Sequence, residues 1–133
     1  MKEKQLPLFA KLTKFSQRKI AGDKAEDQAC QFLKKKGLRL KHRNFSTRLG
    51  EVDLIMQDAD CLVFIEVRYR KNHDFGGAAM SVTAKKQQKI IKAALAYQQK
   101  YAPQSSMRFD VIAIEGEGKN QQINWIENAF YGY

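Results

Sequence analysis

The sequence predicts an α/β domain: one mixed β-sheet flanked by helices, in the order α-βββ-α-ββ. Three observations point there. Apolar residues recur at helical spacing in two segments, near 18–36 and 83–101. Between and after them lie five short runs of strand character, separated by turn residues. One of these runs, CLVFIEV (61–67), is almost wholly apolar, as befits a central strand covered on both faces.

Residues 1–17 read as a flexible basic arm, and 18–133 as a single domain large enough for a real core. The arm's Leu8, Phe9, Leu12 and Phe15 suit a short amphipathic turn, docked on the domain or on a membrane surface, or left disordered. From about Arg18 to Lys36, residues Ile20, Ala21, Ala25, Ala29, Phe32 and Leu33 mark the inner stripe of a helix. Gly37 follows as its stop. Leu38 to Phe45 reads as the first strand, with Leu38 and Leu40 alternating against Arg39 and Lys41. GEVDLIMQD and CLVFIEVRYR are the second and third, joined near QDAD. Thr83 is a natural N-cap for a second helix reaching about Tyr101, with Ile90, Ile91, Ala94, Leu95 and Tyr97 inward. Phe109 to Ile114 is the fourth strand, GEGKN a turn, and Ile123 to Ile126 a short fifth. Strands one to three suit an antiparallel meander, and the helical crossover favours parallel pairing of strands three and four.

Composition narrows the function. No apolar run approaches the roughly 18–20 residues of a membrane span, and LPLFA is too short for a secretory core of about 7–15 residues. A cytoplasmic protein without stable membrane insertion is expected. Cys30 and Cys61 fall at apolar positions, as reduced core thiols do. With only His42 and His73 besides, zinc is a poor fit. The formal charge is +10. Residues 1–48 carry 14 Lys and Arg against 4 acids, so the whole excess lies in the first third. A one-sided basic surface suits a polyanion, most simply nucleic acid; a merely solvated lysine-rich face fits the charge equally well. Arg39, Lys41, Arg43 and Arg48 are the candidates for phosphate contact. Arg70, Lys71 and His73 follow the third strand and suit either the DNA backbone or solvent. Arg108 and Asp110 share a strand face and suit a structural pair, and Trp125, Phe130, Tyr131 and Tyr133 suit a cover for the fifth strand.

Charged groups among the buried strands raise the sharper question. Burying a charge is expensive unless it is paired or metal-bound. Side chains alternate along a strand, so Glu51, Asp53 and Ile55 share one face, and Glu66, Arg68 and Arg70 share one face of the next. In an antiparallel pair, opposed residue numbers sum to a constant. A sum of 117 or 119 makes Asp53 and Glu66 direct or diagonal neighbours. Two carboxylates that close need a shared proton, a cation from Arg, or a divalent ion between them. Hard oxygen ligands suit Mg²⁺ or Mn²⁺. Glu26, one turn from Ala29 on the first helix, completes a three-carboxylate cage that suits phosphodiester hydrolysis. The structural alternative is a buried ion pair of Arg68 with Glu66 or Asp53.

The string GEVDLI, an acidic turn, then FIEVRYR resembles the active-site segment of the PD-(D/E)XK nuclease superfamily, which includes type II restriction enzymes and Holliday-junction resolvases. More closely, the chain resembles the bacterial YraN family of small endonuclease-like proteins. The resemblance runs from about Gly22 to Phe130, through GDKAE, Asn44–Phe45, FGGAA-SVT-KKQ-K, RFDVIAI and WIENAF. It implies a restriction-endonuclease-like fold and a metal-dependent endonuclease acting on structured or branched DNA. Asp53 and Glu66 would be the Mg²⁺ or Mn²⁺ ligands and Glu26 an additional one. A homodimer would suit paired cuts. Arg68 stands where the superfamily has its lysine. An Arg is always protonated and cannot act as a base, though its fork can clamp a phosphate. Lys85, Lys86 or Gln87, at the start of the second helix, are the candidates to reach the site in its place. The competing reading is a DNA-binding module with a degenerate site that recruits a helicase or nuclease partner.

Overall fold

The computed structural model describes residues 8–72 and 82–131; the side chains of residues 8–15 and Arg18 are outside that description. His73, Gly76, Gly77 and Tyr133 lie outside it too.

The chain runs α1 (Leu8–Lys35), β1 (Arg39–Thr47), β2 (Gly50–Asp58), β3 (Cys61–Arg70), α2 (Ala84–Tyr101), β4 (Ser106–Glu115) and β5 (Gln122–Phe130). A single 3₁₀ turn, Gly118–Asn120, fills the expected GEGKN turn. The five strands lie in the order β1-β2-β3-β4-β5. The first three form an antiparallel meander, β3 and β4 pair in parallel, and β4 and β5 pair antiparallel. The predicted α/β class and element order hold.

One boundary differs. Residues 8–17, expected as a flexible arm, form the first part of α1. These residues (LFAKLTKFSQ) contain neither Pro nor Gly to stop a helix, so the register begun at Ile20 propagates backward. The other end stops as expected. Gly37 takes a φ of 100°, and Leu38 N and Gly37 N donate to Leu33 O and Lys34 O, at 3.1 and 3.0 Å. This is a Schellman closure, which needs a left-handed residue.

The sheet buries both faces. On one, Ala25, Ala29 and Leu33 of α1 pack against Leu54, Met56, Val63, Ile65, Ile112 and Ile114. On the other, Ile90, Ile91, Ala94 and Tyr97 of α2 pack against Ile55, Leu62, Phe64, Phe109 and Val111. Each fully buried Ile or Leu contributes about 1.5–3 kcal/mol. Leu95, expected inward, is instead 38% exposed, and Ala93 takes the buried place beside Ala94. Thr83 caps α2 as expected, its Oγ1 accepting from Lys86 N at 3.2 Å. None of the helices described is long and apolar enough to cross a membrane.

Candidate functional site

The β2–β3 turn is two residues, Ala59 and Asp60, and it sets the register: Asp58 opposes Cys61 and Leu54 opposes Ile65, every pair summing to 119. The ladder stops there, one step short of Asp53 and Glu66. Instead of a strand pair, the Asp53 side chain takes the next donor: Val67 N donates to Asp53 Oδ2 at 2.8 Å.

A local break in alternation accompanies this. Val52 and Ile55, three positions apart, both lie in the core on the α2 side. Across β1, Phe45 and His42 likewise both contact the Tyr97 ring. Strict period-two alternation forbids that. Between the Arg43–Leu54 and Phe45–Val52 pairs stand Asn44 and Asp53, and Asn44 adopts a φ of 53°. The backbone therefore spends one irregular residue on each strand, which re-aims the carboxylate. Glu51, expected to share its face with Asp53, is exposed and hydrogen-bonded by the Ser46 hydroxyl at 3.3 Å.

The two acids do converge. Asp53 and Glu66 line one pocket, near enough for the charge of Glu66 to act on Asp53. Burial, followed by the nearby charge of Glu66, pushes Asp53 up to about 7 from an ordinary 3.8. Glu66 itself is only 3% exposed. Its Oε2 faces two cations: Arg68 Nη1 at 3.2 Å and Lys86 Nζ at 3.8 Å. The Glu66–Arg68 ion pair expected as the structural alternative is thus present. Arg68 remains 32% exposed.

Glu26 arrives from α1, held by Arg43 Nη2 at 3.5 Å. Burial, then the charge of Asp53, raises its pKa; hydrogen bonds from Asn44 and Arg43 oppose the rise. Among the described residues no three carboxylates close into a metal-holding cage. The expected triad is therefore a pair of neighbouring acids with Glu26 on the same pocket wall. The cause is Arg43, which draws Glu26 and Asp27 toward β1; its Nη1 donates to Asp27 at 2.6 Å. All three acids, with Arg68 and Lys86, line one open cavity of about 440 Å³.

The basic candidates separate by place. Lys86 is the α2 residue that reaches the acids. Lys85 is exposed, and Gln87 Nε2 donates to Val82 O at 3.1 Å, so it secures the entry to α2. Arg43 is committed to its two acids and is not a free phosphate ligand. Arg39 pairs with Gln57, and Lys41 neighbours it, at the far end of β2 from Asp53; four residues of strand are about 13 Å. Arg70 is exposed past Arg68, and Lys71 lies 4.0 Å from Glu117. Arg48 sits at the β1–β2 turn, in a cavity that shares Lys86 with the acid pocket. Sequence reasoning passed over Asn44 and Gly50. A Cβ on Gly50 would stand 2.2 Å from Lys89 O, so only glycine lets the hairpin lie against α2. A glycine opening a strand is the signal for such an approach.

Comparison with known proteins adds the family. The model of the uncharacterised protein family UPF0102 matches residues 25–114. The chain belongs to this family. It is the YraN-type family to which GEVDLI and FIEVRYR pointed. A UPF0102 protein of Herminiimonas arsenicoxydans is 46% identical over 125 residues, covering 94% of this chain and 97% of the relative. One from Stutzerimonas stutzeri is 48% identical over 117 residues, covering 86% and 98%. One from Legionella pneumophila is 50% identical over 111 residues, covering 82% and 92%. The stretch matched by the family model contains Glu26, Asp53, Glu66, Arg68 and Lys86.

Proposed function

We propose that this chain is a divalent-metal-dependent endodeoxyribonuclease that hydrolyses phosphodiester bonds in structured or branched DNA. The observation that carries this reading is the Asp53–Glu66 pair: two carboxyls brought together in an open, cation-rimmed pocket, one of them titrating near neutrality. A structural role does not require such a pair, because mutual repulsion costs stability. Perturbed acids in a cleft are the physical signature of a working site.

The donor set fits Mg²⁺ or Mn²⁺. A divalent ion would offset the repulsion between Asp53 and Glu66. Glu26 Oε1 is buried beside them with only the loose 3.5 Å contact to Arg43, so it has capacity for another partner. When bound, the metal supplies charge stabilisation at the phosphate and an acidified water. The chain's own residues do the rest. Val67 N fixes the orientation of Asp53. Lys86 brings a primary amine to the pocket, the group absent from position 68, and can hand a proton to the departing oxygen or orient the attacking water. Arg68, at the rim, clamps a non-bridging phosphate oxygen. Symmetric cuts in a branched substrate call for a homodimer.

A labelled four-way junction tests the reading. With Mg²⁺, wild type nicks it and Asp53→Asn loses on the order of 10²–10³ in rate, as removal of a charge-stabilising group does. Lys86→Ala lowers the rate while leaving Mn²⁺ affinity in place. Equal activity or equal inertness of wild type and Asp53→Asn overturns the assignment.

One observation favours a second reading, a DNA-binding module that recruits a helicase or nuclease partner without cutting. Arg68 and Lys86 already neutralise Glu66 without a metal. Calorimetric titration with Mn²⁺ in the presence of junction DNA separates the two: no heat of binding selects the non-catalytic module.

A further inference from the structure

The tip of the β1–β2 hairpin stands beside the acid pocket and has no part in the chemistry above. Its turn is Arg48–Leu49, and Leu49 is 61% exposed. Isolated exposed leucines are ordinary, but three features set this one apart. The turn is held rigid. Thr47 Oγ1 accepts from Leu49 N and Gly50 N at 3.1 and 3.2 Å, and the hydroxyl donates to Gly50 O at 3.1 Å. Two-residue hairpin turns usually need positive φ; neither Arg48 nor Leu49 has it, so this side-chain clamp carries the turn instead. The hairpin is also anchored, since Gly50 lies against the Lys89 carbonyl of α2.

The third feature is charge. A cavity of about 310 Å³ lies between the hairpin and α2, lined by Arg48, Glu51, Lys86 and Lys89 among others. That is three cations against one carboxylate, and the carboxylate already accepts from the Ser46 hydroxyl. Neither Arg48 nor Lys89 forms an ion pair among the described residues. Lys86 lines both this cavity and the acid pocket, so the two adjoin at its side chain.

We propose that the hairpin tip is a wedge that selects a branch point in DNA: Leu49 inserts where base pairs part, and Arg48 and Lys89 hold the flanking backbone phosphate. Apolar wedges stack best into steps that are already open, because unstacking a continuous duplex costs several kcal/mol. The tip therefore discriminates a junction from a linear duplex. Asp53 lies four residues along β2 from Leu49, about 13 Å, or about four base-pair steps at ~3.4 Å each. A cut would fall within a few base pairs of the branch. The inference rests on the DNA reading above, and its test does not depend on cleavage.

The experiment is equilibrium binding of the full chain to a four-way junction and to a linear duplex of equal length, in EDTA, by fluorescence anisotropy. Leu49→Ala is expected to weaken junction binding about tenfold and leave duplex binding unchanged, in line with the energy of one inserted apolar side chain. Leu49→Met restores the preference. Arg48→Ala weakens both DNAs and lowers the salt dependence. A 2-aminopurine at the branch brightens on binding wild type and stays dim with Leu49→Ala. Equal effects of Leu49→Ala on both DNAs, or an unchanged 2-aminopurine response, overturn the wedge. A protein that shows the Leu49-dependent preference but never nicks removes the nuclease reading alone. One that nicks through Asp53 with no role for Leu49 removes the wedge alone.

Discussion

Asp110 and Glu66 stand on neighbouring strands and are almost equally hidden, at 0% and 3% exposure. Their surroundings differ. Both oxygens of Asp110 are served: Arg108 Nε donates to both at 3.2 Å, Trp125 Nε1 to Oδ2 at 2.9 Å, and Asn128 N to Oδ1 at 3.0 Å. Arg108 in turn binds Asp58 at 2.9 Å and approaches Glu127. Asp110 even sits at a register shift of β4, opposite the positive-φ Asn128, so the backbone bends to complete the set. Glu66 instead faces another acid, and part of its pairing comes from side chains at the edge of an open cavity. A buried carboxylate with every lone pair answered by the protein holds the fold. One that faces a second carboxylate keeps a repulsion that its own cations only partly offset.

The largest effect should come from the closed cluster. Asp110→Ala leaves Arg108 half-answered in a buried place and frees Trp125 and Asn128 donors, so urea unfolding should show a loss of about 3–5 kcal/mol. Asp53→Asn should do the reverse near neutrality, raising stability by roughly 2–4 kcal/mol. The sign follows from its pKa, raised to about 7. Between about pH 4 and 7 the folded state keeps a proton that the unfolded state has released. Wild-type stability therefore falls as pH rises through that window, and Asp53→Asn flattens the slope. Above pH 7, Mn²⁺ should raise the melting temperature of wild type and leave Asp53→Asn unmoved. Comparable destabilisation by Asp110→Ala and Asp53→Asn would erase the distinction. Gly50→Ala belongs to neither cluster; it forces the hairpin off the Lys89 carbonyl of α2 and costs about 1–3 kcal/mol in the same unfolding experiment.

The sequence carried most of the frame. Helical spacing, the Gly37 stop, the Thr83 cap and the apolar CLVFIEV run follow from local chemistry and reappear in place. The 119 register was one of the two sums named, since a two-residue turn after Asp58 leaves no other. The adjacency of Asp53 and Glu66 follows from that arithmetic. Other features depended on contacts between distant elements. The alternation break at Asn44 and Asp53 shows only once the Val52 and Ile55 side chains are seen packing against one helix. Arg43 read as a phosphate ligand because nothing local reveals that α1 lays Glu26 and Asp27 across it. Lys86, Lys85 and Gln87 were indistinguishable until the angle of α2 was known. The start of α1 was misjudged because a lysine-rich terminal stretch resembles a tail when no stop residue is looked for.

Among the described residues β1 forms one rim of the sheet, with no strand beyond it. Its register shifts between Leu40 and His42, and Arg39 and Lys41 are exposed along it. A bare rim of amide and carbonyl groups invites other chains to add themselves as strands, and crowded lysines, arginines and a kinked backbone deter them. Part of the basic excess therefore keeps the protein apart from its own copies at that border. The count of cations therefore overstates the width of the surface left for a polyanion.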